Sequence, residues 1–530
     1  MIDEQIDARL RELNIQAAEV SADEEFFRRA HLDLTGVIPL ADDVGKFLAD
    51  TDGGKRTALI DRLLSSPAHA AHMATVFDVM LMERRPDKYV TTEQWRQYLT
   101  QSFADNKPLN ELAGEILGSD GVDEKLRPAA KFFLDRAVDK DSLVRDIGRL
   151  MLGVDLQCAQ CHDHLGVEDY LHEHYHGLSV FVAGSKTFKQ PDGTLVLQET
   201  AVREVEFASV FDPDKARKTG PRLLAALMEL PAVKEGEEYV EKPSRTVRAV
   251  PKFSLRKLLS KRLPSDETPE FARNMANRLW AQMMGRGLVH PLDMHHSGNA
   301  ASHPELLELL SQRLRSTHYD VRSFLREIAL SRAYARSSMA PEGADAEQIP
   351  PDSYAVANMK GLTAEQLFES LLRATGSEEL LAQQIDQALA EAESSESAAA
   401  SEDEKADRAA LAAAERAARV KEFVTLFGGV AGTPAGEFQA SLPQALFFAN
   451  SETIVSWVEP AAGNLTERLA AIDDVAKTTE DAYLQVLSRL PGADERTAAE
   501  EYLNAAVDRR AAVRELVWSL VAAAEFRFNH

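Results

Sequence analysis

Most of the chain carries the hydrophobic pattern of helices that bury one face. Apolar residues recur three or four positions apart, as such helices require. In the first part of the chain, this spacing predicts helices near residues 54–65, 70–83, 92–105, 108–117 and 142–152. Residues 188–262 differ, because the alternating and β-branched residues near 194–197 and 202–207 are typical of short strands. The sequence therefore predicts a mainly α, multi-domain helical protein with a small β-rich insertion.

Changes in this pattern divide the chain into consecutive segments. A chain of 530 residues is too long for a single compact core, so several domains are expected. The predicted segments are a helical domain over 1–187, the β-rich insertion over 188–262, a first helical part over 263–381, an acidic linker or helix over 382–419 and a C-terminal helical part over 420–530. The fourth segment is rich in alanine, glutamate and serine and has too few large apolar residues to form a core.

The charge balance excludes some classes of partner. The formal net charge is −25, and a strongly acidic surface repels nucleic acid, so no nucleic-acid partner is expected. No run of eighteen apolar residues occurs, so no membrane span is expected either. The polar start of the chain does not resemble a secretory signal peptide.

The two cysteines of the chain carry the strongest chemical signal. They lie three positions apart and are followed at once by a histidine, in the order Cys158-Ala159-Gln160-Cys161-His162. The chance expectation for this pattern is roughly 2 in ten thousand for such a composition, so it is not a coincidence of spacing. Two thiols at this spacing can form thioethers with the two haem vinyl groups, and the adjacent imidazole can then bind the iron. The motif therefore predicts covalent haem c held by Cys158, Cys161 and His162, in a turn that follows a buried helix.

Other readings of the cysteines stay open. The pair could be a structural disulfide or a redox dithiol. It could also form a zinc site or the centre of a zinc-binding module with histidines further along the chain. The histidines close enough in sequence are His164, His172, His174 and His176.

A second pattern lies shortly after the cysteines. His172-Glu173-His174-Tyr175-His176 matches the His-Glu-x-x-His zinc pattern, in which Glu173 would be a general base. Chance gives this pattern roughly 4 times in a hundred such chains, so it is the weaker signal. Gly177 is expected to end such a helix early.

A third group of polar residues lies in the helical part after the insertion. Arg273, Asn277 and Trp280 share one side of a predicted helix. The residues that follow its glycine turn include His290, Asp293, Met294, His295, His296 and His303. Either His295, His296 or Met294 could be the second axial ligand of a haem, or the histidines could join Asp293 in a metal or acid–base site. The structural alternative is an ion pair between Arg273 and Asp293, with Ser302 and Glu305 capping the next helix.

Several segments together resemble a known family. They are Phe27–Gly36, Asp61–Pro67, Gly153–His164, Asn277–Trp280, Gly285–Val289, Ser302–Leu307, Pro443–Phe447 and Ala524–His530. With these segments, the chain resembles the planctomycete cytochrome-like proteins that combine the PSCyt2 (DUF1549) and PSD1 (DUF1553) domains. One departure is Leu165, which replaces the proline that is common after the second motif histidine of that family.

The resemblance implies a secreted, cytochrome-like protein whose activity is not established. We accordingly expect c-type haem binding and electron transfer, with an oxidoreductase activity as one possibility and with zinc as the alternative cofactor. A non-catalytic extracytoplasmic scaffold with a Cys158–Cys161 disulfide is a further alternative. Because haem c is attached outside the cytoplasm, we expect an export leader that this chain lacks. The family's domain pairing also implies that residues near 158–164 meet residues near 290–303, while the redox partner is not identified.

Overall fold

Helices dominate the part of the chain that the structure describes. The computed structural model describes residues 1–394, 416–429, 441–461 and 463–530. Within these ranges, strands occur only as four two-stranded antiparallel sheets. The predicted mainly α class with a small β-rich insertion is confirmed. In the described ranges, we find no helix with both the length and the apolar character needed to cross a membrane.

The described residues form two compact units, and each is built from separate stretches of the chain. Unit 1 contains residues 1–17, 73–334 and 341–356, and unit 2 contains residues 18–72, 335–340 and 357–530. Each unit thus combines separate stretches of the chain, whereas each segment predicted from the sequence is continuous. The segment boundaries therefore remain a prediction about the sequence.

Unit 1 holds the cysteine motif, the predicted insertion and the polar residues of the third group. Its α-helices are Ile2–Leu13, Pro67–Met82 from Met73 onward, Thr92–Ala104, Leu109–Gly118, Lys131–Leu134, Lys140–Ile147, His172–Ala183, Leu255–Arg262, Pro269–Met284, Pro304–Ser316 and Val321–Ala329. Short 3₁₀ turns cover Arg127–Ala130, Cys158–Gln160, Ala346–Gln348 and Pro351–Ser353. The helices predicted for this part of the chain are confirmed to within a few residues at each end.

The predicted β-rich insertion over 188–262 contains three small hairpins between Ser185 and Leu227, and its last residues form the helix Leu255–Arg262. Its strands are Ser185–Lys189, Leu195–Glu199, Val205–Ser209, Asp212–Thr219, Arg222–Leu223 and Ala226–Leu227. Each strand pairs with the next one along the chain. The second hairpin, Val205–Thr219, buries Phe207 but leaves Val210 and Phe211 exposed at its tip. The hairpin therefore presents two neighbouring apolar side chains to solvent.

The described residues of unit 2 form helices and one short sheet. Its α-helices are Asp23–Thr35, Ala41–Ala49, Lys55–Leu64, Ala364–Thr375, Glu378–Ser394, 416–427, Leu442–Asn450, Glu452–Val458, Leu465–Ala470, Val475–Leu487, Ala493–Ala505 and Arg509–Ala522. The core includes an aromatic cluster in which the Phe423 ring lies 5.3 Å from Phe368, 5.0 Å from Phe447 and 6.1 Å from Trp457. Such contacts stabilise a core beyond the area that they bury.

The last residues of the chain close unit 2. Phe528–Asn529 pairs as a strand with Lys360–Gly361, and the Asn529 Nδ2 donates to Asp33 Oδ1 at 2.6 Å. Asp33 is 3% exposed and is also paired with the Lys360 ammonium. The family-like segments at the two ends of the chain, Phe27–Gly36 and Ala524–His530, therefore meet around one buried carboxylate.

The acidic segment predicted over 382–419 lies partly outside the described residues. Its beginning continues the helix Glu378–Ser394, and its last four residues belong to the helix over 416–427. Residues 395–415 are not described, so the prediction of a linker or helix there stays a prediction.

Candidate functional site

The cysteine motif lies on a turn that is anchored from both sides. The helix Lys140–Ile147 continues into one π-helical turn, Gly148–Leu152, which ends at Gly153 with a φ of 74°. Leu156 and Ala159 are fully buried. They anchor the turn to the rest of unit 1, because burial of apolar side chains stabilises such packing. The expectation of a turn just past a buried helix is confirmed.

Both thiols are available at the surface. Cys158 opens the 3₁₀ turn Cys158–Gln160, and Cys161 follows it. Both are exposed free cysteines. No disulfide bond joins Cys158 and Cys161 in this structure, and the disulfide alternative stays a prediction about the sequence.

The adjacent imidazole has one nitrogen engaged and one available. Nδ1 of His162 lies 2.7 Å from the carbonyl oxygen of Asp163, which fits an N–H donor at that position. Among the described residues, no hydrogen bond involves Nε2 of His162. A ligating histidine commonly donates its other ring N–H to a carbonyl in this way, which fixes the tautomer and the ring orientation.

The tip of the second hairpin contacts the cysteine motif. Val210 N donates to the Cys161 carbonyl oxygen at 3.0 Å, and the Phe211 ring lies 4.9 Å from the His162 ring. Phe211 remains 70% exposed, and Leu165, three residues after His162, is 82% exposed. The motif therefore lies beside large apolar side chains that contact solvent. Sequence reasoning missed the role of Phe211, because hairpin register and tip position are set by pairing and not by any local motif.

His172 and His176 lie directly behind the turn. They occupy one face of the helix His172–Ala183, and their Nε2 atoms are 2.8 Å apart. Each Nε2 also lies 3.2 Å from the carbonyl oxygen of Gln160, the residue before Cys161. Burial lowers the pKa of His172, and burial followed by the neighbouring His172 lowers the pKa of His176 to about 4. Both imidazoles are therefore neutral at neutral pH.

The expectation that Gly177 ends this helix early is wrong. The helix continues to Ala183, and Gly177 lies inside it. A Cβ at Gly177 would lie 2.3 Å from the Cβ of Arg222, so the glycine allows a neighbouring strand to approach. The outer histidines of the pattern consequently do share a helix face, as the helical reading of the sequence predicts.

The other residues of the histidine patterns point to structural roles. Glu173 forms an ion pair with Arg222 at 3.1 Å. His174 is buried, and burial lowers its pKa. His164 Nδ1 accepts a hydrogen bond from Gly166 N at 3.1 Å, and its ring packs edge-on against Tyr170 at 5.9 Å. Among the described residues, no three side chains of histidine, cysteine, aspartate or glutamate form a group that could hold a metal ion.

Arg273 and Asp293 of the third polar group form two separate ion pairs. Arg273 pairs with Glu308 at 3.3 Å, and Asp293 pairs with Arg149 at 3.3 Å. The expected pair between Arg273 and Asp293 is therefore wrong, because each has another partner within reach. Trp280 is fully buried beside the Tyr354 ring, at 5.3 Å, and belongs to the core of unit 1.

His295 joins this group to the start of the cysteine loop. His295 N donates to the Gly153 carbonyl oxygen at 3.0 Å, and its ring Nε2 lies 3.4 Å from Asn277 Nδ2. Asn277 is oriented by Val289 through both amide atoms, so its N–H₂ group faces His295 as a donor. Burial, followed by the charges of nearby arginines, lowers the pKa of His295 to about 4. Its ring is therefore a neutral acceptor at Nε2.

Contacts with the residues near 290–303 come from Val154 and Tyr170, on either side of the segment 158–164, so the implied meeting of 158–164 itself with that region stays a prediction. Val154 forms a β-bridge with Met294, and Tyr170 OH donates to the His295 carbonyl oxygen at 3.1 Å. The Tyr170 ring also lies 5.6 Å from the His296 ring. A cavity of about 430 Å³ opens here, and its lining includes Arg273, His295, His296, Asn299 and Glu308.

His303 is buried at the start of the next helix. The helix Pro304–Ser316 has His303 at its N-cap, and no side chain caps it. The expected capping box of Ser302 and Glu305 is therefore wrong, because the helix begins one residue later than that box requires. The Ser302 hydroxyl lies 3.0 Å from His303 Nδ1 instead.

Two family descriptions match the chain. PSCyt2, described as a protein of unknown function (DUF1549), matches residues 1–187, and PSD1, described as a protein of unknown function (DUF1553), matches residues 255–503. No curated protein and no solved structure gave a significant match. Each compact unit draws residues from both matched regions. The chain therefore belongs to the proteins that join a PSCyt2 domain to a PSD1 domain.

Proposed function

We propose that the chain is an extracytoplasmic, c-type cytochrome-like protein that transfers electrons. In this proposal, Cys158 and Cys161 attach haem and His162 is its proximal ligand. The observation that carries it is the pair of exposed, free thiols beside an imidazole whose Nε2 has no partner among the described residues. When bound, a haem group supplies a one-electron couple whose potential depends on its axial ligands and surroundings.

The thiols fit the attachment chemistry. Each thiol would add across a vinyl C=C bond of the haem, so that one S–C bond forms and the thiol hydrogen goes to the neighbouring carbon. The step is balanced without an oxidant or a reductant. It requires both sulfurs to be reduced and accessible, and both are free and exposed. Cys158 opens the turn and Cys161 follows it, with two residues between the thiols.

His162 fits the role of proximal ligand. Its Nδ1 lies against the Asp163 carbonyl oxygen at 2.7 Å, which leaves the Nε2 lone pair for a metal. The Phe211 ring, 4.9 Å away, limits rotation of the imidazole. A ligand held in one orientation loses less conformational entropy when it binds.

The apolar surroundings support the same proposal. Val210, Phe211 and Leu165 are exposed by 60%, 70% and 82%. A porphyrin is a large flat apolar surface, and covering these side chains with it would be favourable by about 25 cal/mol per Å² of apolar area. Apolar side chains of this kind would limit the access of water to a bound haem, and solvent exposure is one of the factors that set a haem potential.

The candidates for a sixth ligand differ in the contacts that they already make. His295 already accepts from Asn277 through its Nε2, so its use as a ligand would cost that contact. His296 packs its ring against Tyr170 and remains a candidate, as does Met294. His164 has its Nδ1 engaged by Gly166 and would bind metal through Nε2 if at all.

The test is the optical spectrum of the full chain exported with a c-type haem attachment system. We expect Soret and α/β bands that survive in a His164→Ala control and disappear in a Cys158→Ala, Cys161→Ala variant. In a His162→Ala variant, we expect haem that stays covalently bound but has altered bands. Stoichiometric zinc on the two thiols in place of haem, or a chain with neither, would overturn the proposal.

A further inference from the structure

The atoms behind the cysteine turn form a triangle of the size that a metal ion requires. The Nε2 atoms of His172 and His176 are 2.8 Å apart, and each lies 3.2 Å from the Gln160 carbonyl oxygen. One point about 1 Å out of the plane of this triangle lies about 2.1 Å from all three atoms, which is the usual length of zinc–nitrogen and zinc–oxygen bonds. The angles at that point are about 84° and 99°, close to those between neighbouring ligands of an octahedral or square-pyramidal ion.

Hydrogen bonding within the triangle leaves one of its three contacts without a proton. Two imidazole nitrogens 2.8 Å apart can share only one proton, so only one of them is a donor. The other nitrogen turns its lone pair toward the first nitrogen and lies 3.2 Å from a carbonyl oxygen, which carries lone pairs as well. A positive ion at the common point would convert this repulsion into three bonds.

The surroundings hold both histidine rings in place. His172 is fully buried. The Phe207 ring stacks on His176 at 4.5 Å and meets His172 edge-on at 4.9 Å, which fixes both rings. His172 N also donates to Asp163 Oδ1 at 2.8 Å, which ties the start of the helix to the turn. The pair is therefore rigid before any ion arrives, which reduces the entropy lost on binding.

We propose that His172 Nε2, His176 Nε2 and the Gln160 carbonyl oxygen form a binding site for a divalent transition-metal ion of the zinc, copper or nickel class. Imidazole nitrogen is a preferred ligand of these ions, and water would fill the remaining positions. The site uses two side chains and one backbone atom. It does not use the thiols, so it is independent of the proposed haem attachment.

The experiment titrates the full chain with Zn²⁺ against a chromophoric chelator, in a Cys158→Ser, Cys161→Ser background that removes the thiols as competitors. We expect one ion per chain and a binding constant weakened about a hundredfold by His172→Gln or His176→Gln, since each removes one direct ligand. His174→Gln is the matched control, because His174 lies between the two histidines but outside the triangle, and it should leave the binding constant unchanged.

Cu²⁺ provides a second readout. The electron paramagnetic resonance spectrum of bound Cu²⁺ should show hyperfine splitting from two imidazole nitrogens. In the His172→Gln or His176→Gln variant, it should show splitting from one. Far-UV circular dichroism verifies that each variant is folded. No stoichiometric binding in the serine background, or equal binding in all three histidine variants, would overturn the proposal. Binding that requires the cysteines would overturn it as well, because the metal would then be held by the thiols.

Discussion

Replacing Gly153 by alanine should destabilise unit 1 and disturb the cysteine turn. Gly153 has a φ of 74°, and a Cβ built on it would lie 2.7 Å from His295 Cδ2 and 2.9 Å from Asn274 Oδ1. The left-handed conformation costs an alanine about 1–2 kcal/mol. His295 cannot easily move away, because its N–H is bonded to the Gly153 carbonyl and its ring faces Asn277. Overpacking adds about 1–3 kcal/mol, so the total loss of unfolding free energy should be about 2–5 kcal/mol.

Gly343→Ala is the matched control for this prediction. Gly343 has a φ of 80°, and a Cβ there would meet nothing within 4 Å, so only the conformational cost applies. Urea unfolding followed by circular dichroism compares the two variants. Hydrogen exchange of a peptide covering residues 148–162 shows whether the disturbance reaches the motif. Equal destabilisation by the two substitutions, with unchanged exchange at 148–162, would refute the packing argument.

Three further predictions concern protonation, the closure of unit 2 and the hairpin tip. Burial lowers the pKa of His31 to about 4 and that of His72 to about 3, so the unfolded chain binds more protons below pH 6.5. The free energy of unfolding should be constant above pH 6.5 and should fall by about 1.4 kcal/mol per pH unit for each of these two imidazoles between pH 6.5 and 5. A urea midpoint that does not change between pH 6.5 and 5 would contradict this prediction. Asn529→Ala removes the donor to the buried Asp33 carboxylate and should cost about 1.5–3 kcal/mol in urea unfolding, whereas the exposed Val507→Ala control should change little. Phe211→Ala should shift the ring NMR signals of the motif imidazole in haem-free protein, and unchanged signals would show that the hairpin tip does not pack there.

Local features of the fold were predictable from the sequence. Helix positions in the first part of the chain followed from apolar spacing, and the helix predicted near 142–152 does end before the motif, at Gly153 after a π-helical turn. The placement of Cys158, Cys161 and His162 on a turn also followed, because the buried apolar run ends just before them. These features depend on neighbours a few residues apart, which the sequence displays directly.

Features that depend on long-range packing were not predictable in this way. The sequence predicts a helix end at Gly177, but the helix continues through it. The lack of a side chain at Gly177 lets Arg222 pack closely against the helix. Arg273 and Asp293 are of opposite charge and near in sequence, yet each pairs elsewhere. The convergence of His172 and His176 on the Gln160 carbonyl requires the turn to fold back on the helix, which no local pattern encodes.

The most direct test of the central claim is the intact mass of the exported full chain under denaturing conditions. Because thioether bonds survive unfolding, the account predicts a mass greater than that of the polypeptide by one haem group. The Cys158→Ala, Cys161→Ala variant should then have the mass of the polypeptide alone. A wild-type chain that is exported with a functioning attachment system and still has only the polypeptide mass would contradict the account.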